Sequence, residues 1–224
     1  MKKKLLALII IPFILILTAC GLTQSPEDAA YRITKEQWES IDEITNYSLK
    51  INVTSKDNGN VITINKTIKS KDNAFYYYSI QNNQNGTTSE EYFYIIEDEQ
   101  QYVISQWNAA QNKYDNLWHA YERELESISM NDALGFGLDI KYRNLRYDKD
   151  TKAYTYTKKE DNFIGIISYN FVDGTLAKVT ANVYEASNVK DINQENAIET
   201  IEALFYAVGT TKFGIPQYTI QTEN

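Results

Sequence analysis

The chain has 224 residues, with 30 acidic against 22 basic side chains and a formal net charge of −8. That balance excludes bulk-charge attraction to nucleic acid or to anionic lipid, and a single cysteine leaves no partner for an internal disulfide. With 18 tyrosines and only 3 prolines, the composition favours strands.

The first elements in chain order are those of a secretory signal. Lys2, Lys3 and Lys4 form a positive start, Leu5 to Leu17 an apolar run, and the small residues Thr18 and Ala19 precede Cys20. The run carries Pro12 and is shorter than the roughly 20 apolar residues that a bilayer core requires. Leu17-Thr18-Ala19-Cys20 resembles the lipobox of bacterial lipoproteins. The resemblance implies a diacylglyceryl group on the Cys20 sulfur and removal of residues 1–19. Acyl chains then hold the protein to the membrane, each buried CH₂ contributing about 0.8 kcal/mol. Loss of the three lysines takes the formal charge from −8 to about −11 and leaves about 205 residues. Residues 20–32 read as a tether, and 33–224 as one domain. No later apolar run is long enough to span a bilayer.

The folded region opens with "ITKEQW". Thr34 and Gln37 have capping-box spacing, and Ile33 and Trp38 take the hydrophobic-staple positions. The spacing of Trp38, Ile41 and Ile44 predicts a helix from 35 to about 44. From Tyr47 the period becomes two: Tyr47, Leu49, Ile51 and Val53 alternate with polar residues. The Asn-Gly of "KDNGN" predicts a hairpin, with a return strand carrying Ile62, Ile64 and Ile68. Further strands are expected at 74–80, 91–96 and 102–107, joined by the polar segments "QNNQNGTTS" and "EDEQ". Trp118, Tyr121, Leu125 and Ile128 fit one face of a helix between about 119 and 134, ending near Gly135. Strands then resume at about 140–147, 153–159, 163–172 and 176–184, turning at "DKDT" and "VDGT", with a loop over 185–196. Residues 198–207 fit a helix through Ile198, Ile201, Leu204 and Phe205, and a strand through Ile201, Ala203, Phe205 and Ala207.

Sites of chemistry are sparse. His119 is the only histidine and has no cysteine partner, so neither the usual zinc site nor a Ser-His arrangement can be built around it. Asp148, Asp150 and Thr151 lack the glycine and distal glutamate of an EF-hand loop. Glu97 and Asp98 are neighbours in a turn, with no converging acid in sight. P-loop and dinucleotide fingerprints are absent from the sequence. The expectation is a protein without catalytic residues, metal or cofactor.

The aromatic runs "FYYY" (75–78) and "YFY" (92–94) raise a different question. Aromatic residues fall on both faces of these strands, so the second face is covered by another element or binds something. The bland account is a core on one side and cross-strand tyrosine pairs on the other, each contributing roughly 0.2–1 kcal/mol. The functional account is an apolar pocket lined by Phe75, Tyr77, Phe93, Ile95, Trp107, Trp118, Tyr121 and Leu125.

"ITKEQW", "LRYDKDTKAYTY" and "YAVGTTKFGIP" together resemble motifs of an uncharacterised lipoprotein family of Gram-positive bacteria. The wider relationship is with the half-open barrel of the LolA type, shared with lipid carriers of the LppX and LprG type. The resemblance spans about 33–216. It implies an α+β fold, in which an antiparallel sheet curls around helices on its concave side and leaves a cavity for acyl chains. It also implies a final strand at about 198–207; the sequence departs from the pattern at "YAVG", where a more polar pair is expected before Gly209. The expected function is a lipid-anchored, extracytoplasmic module that binds a lipid or other hydrophobic ligand. The competing expectation is a cell-envelope interaction protein with a filled core and a tyrosine-rich partner surface. An anchored hydrolase ranks third, for want of a catalytic constellation.

Overall fold

The computed structural model describes residues 26–57, 59–71, 74–97, 101–108, 113–115, 129–187 and 194–214. Among the described residues eleven strands form one curled, open antiparallel sheet. They are β1 (Tyr47–Asp57), β2 (Asn60–Lys71), β3 (Ala74–Asn83), β4 (Gly86–Glu97), β5 (Gln101–Asn108), β6 (Lys113–Asp115), β7 (Arg146–Asp148), β8 (Ala153–Lys159), β9 (Phe163–Val172), β10 (Thr175–Glu185) and β11 (Glu199–Tyr206). Their order is β6-β5-β4-β3-β2-β1-β11-β10-β9-β8-β7. Two meanders are therefore joined side by side through their first and last strands, with Leu49 opposite Phe205 and Ile51 opposite Ala203. Local hairpins suit antiparallel pairing, and every connection within the two meanders is short except that between β10 and β11.

The turn residues act as their chemistry requires. Between β9 and β10, Asp173 (φ 49°) and Gly174 (φ 77°) both take positive φ, the condition for the tight turn that matches strand twist. The strands at 153–159 and 163–172 have the bounds read from the sequence, and 198–207 is a strand, β11. Two expectations need correction. "QNNQNGTTS" is not a joining loop: β3 runs to Asn83 and β4 starts at Gly86, because ladder hydrogen bonds use the backbone and tolerate polar side chains on an exposed hairpin. The strand expected at 140–147 is instead a 3₁₀ turn, Tyr142–Asn144, followed by the short edge strand β7.

Among the described residues three short helices accompany the sheet: α1 (Pro26–Ala29), α2 (Lys35–Glu39) and α3 (Met130–Leu134). The capping box of α2 is complete. The Gln37 amide donates to Thr34 Oγ1 at 3.2 Å, and the Thr34 amide donates to Gln37 Oε1 at 2.8 Å. A single 3₁₀ turn, Ile41–Glu43, replaces the second half of the expected helix. α3 ends before Gly135 (φ 76°), where the sequence places the stop; residues 119–128 of that expected helix lie outside the described residues. None of the helices among the described residues is long and apolar enough to cross a membrane.

The core lies on one face of the sheet. Tyr47, Leu49 and Ile51 of β1 join Ile68, Phe75, Tyr154, Tyr169, Val179, Ala203 and Phe205 under Trp38, Ile41, Met130, Leu134 and Leu138. Trp38 is the centre of the cover. Its ring meets Tyr169 edge-on at 4.9 Å and Phe171 at 6.2 Å, and its Nε1 donates to the Ile140 carbonyl at 2.6 Å. The Tyr169 hydroxyl donates to the Gly137 carbonyl, tying the segment after α3 to β9. Gly137 (φ 82°) is required here: a Cβ would lie 3.0 Å from that hydroxyl.

Candidate functional site

Cross-strand register decides which of the expected ligand-binding residues can meet. Directly opposed residues in an antiparallel pair share a face. Leu49, Ile68 and Tyr77 stand in one row, so Tyr77 continues the core face; Phe75 stands opposite Ser70, which stands opposite Tyr47. Phe75 is buried in the core cluster, and Tyr77 is half-buried against it.

Phe93 belongs to the other face. It stands opposite Tyr76, in a row that runs through Lys69 to Ser48. A single pocket cannot hold both Phe93 and the pair Phe75 and Tyr77, and the grouping of these residues is corrected accordingly. Ile95 lies in β4 opposite Ala74, and Trp107 in β5 opposite Tyr114. Trp118, Tyr121 and Leu125 lie outside the described residues, as do His119 and Cys20.

The second aromatic face is covered by the chain itself. After β11, Ala207 (φ 53°) turns the chain back across the sheet. The Gly209 amide donates to the Asn46 carbonyl at 2.8 Å, and the Thr211 amide to Asn46 Oδ1 at 3.1 Å. Thr211 and Ser48 share a buried hydroxyl contact at 3.1 Å. Phe213 then reaches Phe93, ring centroids 6.4 Å apart, while Tyr76 packs on Phe93 at 4.9 Å. Phe93 is 6% exposed as a result. Neither strand's own pattern contains this cover, which comes from residues more than a hundred positions away.

At the N-terminal side, residues read as tether are docked from Asp28 onward. The Asp173 amide donates to the Ala30 carbonyl at 2.8 Å. The Ile33 carbonyl accepts from the hydroxyls of Tyr142 (2.9 Å) and Tyr154 (3.3 Å). The Arg32 guanidinium lies 4.5 Å over the Tyr147 ring, and Lys152 lies 4.6 Å over that of Tyr31. Burial raises the Tyr142 and Tyr147 hydroxyls above the usual phenol range.

The sequence reading did not anticipate a polar cleft of about 780 Å³ at the β7 edge of the sheet, lined by Arg143, Asn144, Arg146, Thr155, Tyr156, Thr157 and Lys159. Register sets Arg146 opposite Thr155, whose hydroxyl donates to the Arg146 carbonyl at 3.2 Å. The available signal was the alternation in "YRNLRYD", where tyrosines clasp the N-terminal segment and arginines line the cleft.

Among the described residues no group of three or more metal-ligating side chains converges. The Asp148 carboxylate, considered above for calcium, accepts from the amides of Asp150 (2.8 Å) and Thr151 (3.4 Å), and the Asp150 amide chiefly holds its pKa below the usual carboxylate range. That is the local turn chemistry of an Asp at the head of a hairpin loop. No protein-family model matches the chain, and no curated protein is significantly similar to it.

Proposed function

We propose that the protein is a non-enzymatic lipoprotein, held to the outer face of the bacterial cytoplasmic membrane by acyl chains on Cys20, that binds a hydrophobic ligand on the concave face of a LolA-like half-barrel. The observation that carries this reading is the half-buried Tyr77, which continues the buried row of Leu49 and Ile68 in a sheet that does not close. The cover reaches β1 and β2, where Leu49 and Ile68 are buried, as well as β9, where Trp38 meets Tyr169 and Phe171. The core face extends past this cover to Tyr77, which is only half-buried. An apolar chain lying there and burying about 300 Å² gains roughly 7 kcal/mol, before the cost of immobilising it. Weak binding, micromolar at best, is the expected strength.

A second reading, an envelope interaction protein with a filled interior, is favoured by one observation. Phe75 packs within the core cluster, and Phe93 is covered by Phe213, so two of the aromatic side chains expected to line a pocket are already used.

Titration with a fluorescent fatty acid separates the two. A chain beginning at residue 21 retains every described strand and helix. After delipidation it should bind saturably, and Tyr77→Asp should abolish binding while Tyr78→Asp, at the opposite parity of β3, should not. Absence of saturable binding by the folded wild-type chain removes the carrier reading and leaves the interaction protein.

A further inference from the structure

We propose that the cleft at the β7 edge is a second binding site, for a phosphate ester whose organic part carries hydroxyl groups. The site is separate from the concave face discussed above, and its argument does not depend on that reading.

Charge is the first consideration. The chain is acidic, at −8, yet the side chains of Arg143, Arg146 and Lys159 line one cleft with no carboxylate among its described lining residues. None of the three makes an ion pair among the described residues, whereas the neighbouring Lys158 is paired with Glu160 at 2.8 Å. Three cations that line one cleft without a paired acid present net positive charge to whatever enters it, and an anion is attracted there. The remaining lining residues are neutral donors and acceptors: Asn144, Thr155, Thr157 and Tyr156.

The geometry then selects the ligand class. Arg143 stands in the 3₁₀ turn and Arg146 in β7, while Lys159 ends β8, so the charges come from three places in the backbone. The strand pairing of β7 with β8 holds two of these elements in register, opposing Arg146 to Thr155. Two planar guanidinium forks and an ammonium suit a phosphate, with its charge and its several acceptor oxygens, better than a single carboxylate. The hydroxyl and amide groups beside them suit a polyhydroxy group attached to that phosphate. A volume of about 780 Å³ accommodates a sugar phosphate or a lipid headgroup.

Position adds the link to the proposed anchor. Tyr142 and Tyr147, next in sequence to Arg143 and Arg146, clasp Ile33 and Arg32. The cleft therefore lies at the same edge of the sheet that the N-terminal segment meets. Cys20 precedes Asp28 by eight residues, a reach of at most about 30 Å when extended. A lipid on Cys20 would keep the cleft near the membrane surface, where the phosphate ester could be a lipid headgroup; in solution it could be a free sugar phosphate.

The test uses the chain from residue 21 at low ionic strength. One arm titrates glucose 6-phosphate, with glucose and inorganic phosphate as comparison probes, by calorimetry. The other measures co-sedimentation with phosphatidylcholine vesicles with and without phosphatidylglycerol. Saturable binding of glucose 6-phosphate, stronger than that of inorganic phosphate, assigns a soluble ester; binding confined to phosphatidylglycerol vesicles assigns the headgroup. In either case Arg146→Ala and Arg143→Ala should each weaken binding about tenfold or more, with unchanged circular dichroism because both side chains are exposed. No saturable response in either arm, equal binding by wild type and both variants, or inorganic phosphate bound as tightly as glucose 6-phosphate overturns the proposal.

Discussion

Replacing Trp38 by alanine removes the largest side chain of the cover over the sheet. The indole is 4% exposed and meets Tyr169 and Phe171 edge-on. Deleting a buried Trp costs about 3–5 kcal/mol in transfer and cavity terms. The change also takes away the donor to the Ile140 carbonyl, and an unpaired buried acceptor costs about 1–3 kcal/mol. The expected loss therefore lies at the upper end of the 3–5 kcal/mol range, with the melting temperature falling by about 8–20 °C for a body of this size. Trp38→Phe separates the parts: it keeps an aromatic ring and loses the N–H, so about 1–3 kcal/mol should go. Urea unfolding of the chain from residue 21, followed by tyrosine fluorescence and circular dichroism, measures both variants. A loss below about 1 kcal/mol for Trp38→Ala would refute the placement of Trp38 at the centre of the core.

Cys20→Ala should abolish incorporation of an alkyne fatty acid in cells; equal label on wild type and variant would remove the proposed anchor. Gly137→Ala should destabilise by about 1–3 kcal/mol, because alanine at positive φ is strained and its Cβ meets the Tyr169 hydroxyl; a neutral effect in urea would mean the segment after α3 does not hold this conformation. Alkaline pH should unfold the protein. Burial, reinforced by Asp139, pushes the Tyr169 hydroxyl far above the usual phenol range. A raised folded-state pKa gives stability that is complete below the unfolded phenol pKa of about 10 and is lost as pH rises beyond it, by about 1.4 kcal/mol per unit for one group. Tyr169→Phe should reduce the slope of stability against pH by about one proton, and an unchanged slope in urea midpoints measured above pH 10 would contradict the burial of that hydroxyl.

Much of the local structure was legible because it depends on residues close together in sequence. The capping box of Thr34 and Gln37, the alternation from Tyr47 to Val53, and the turn at Asp173-Gly174 each carry their own geometry, and each forms as read. For residues 198–207, periodicity left helix and strand open, and the resemblance to half-barrel lipoproteins pointed to strand. The physical arbiter is pairing: β11 lies between β1 and β10 and completes the ladder of both, which no property of the segment alone could require.

The aromatic strands show the limit most clearly. "FYYY" and "YFY" place large side chains at every position, so the period-two signal that distinguishes a buried face from an open one vanishes. Parity is decided only by the cross-strand partner: Tyr77 stands beside Ile68 and Leu49 on the core face, and Phe93 stands beside Tyr76, Lys69 and Ser48 on the other. The cover over Phe93 and the cations of the β7 cleft are likewise tertiary facts. Phe213 reaches Phe93 because the chain turns back after β11, and Arg143, Arg146 and Lys159 line one cleft although they stand in a 3₁₀ turn, in β7 and at the end of β8. Short-range sequence patterns specify which backbone each segment adopts. Which side chains become neighbours depends on register and chain return, set by the free energy of the whole sheet and its core.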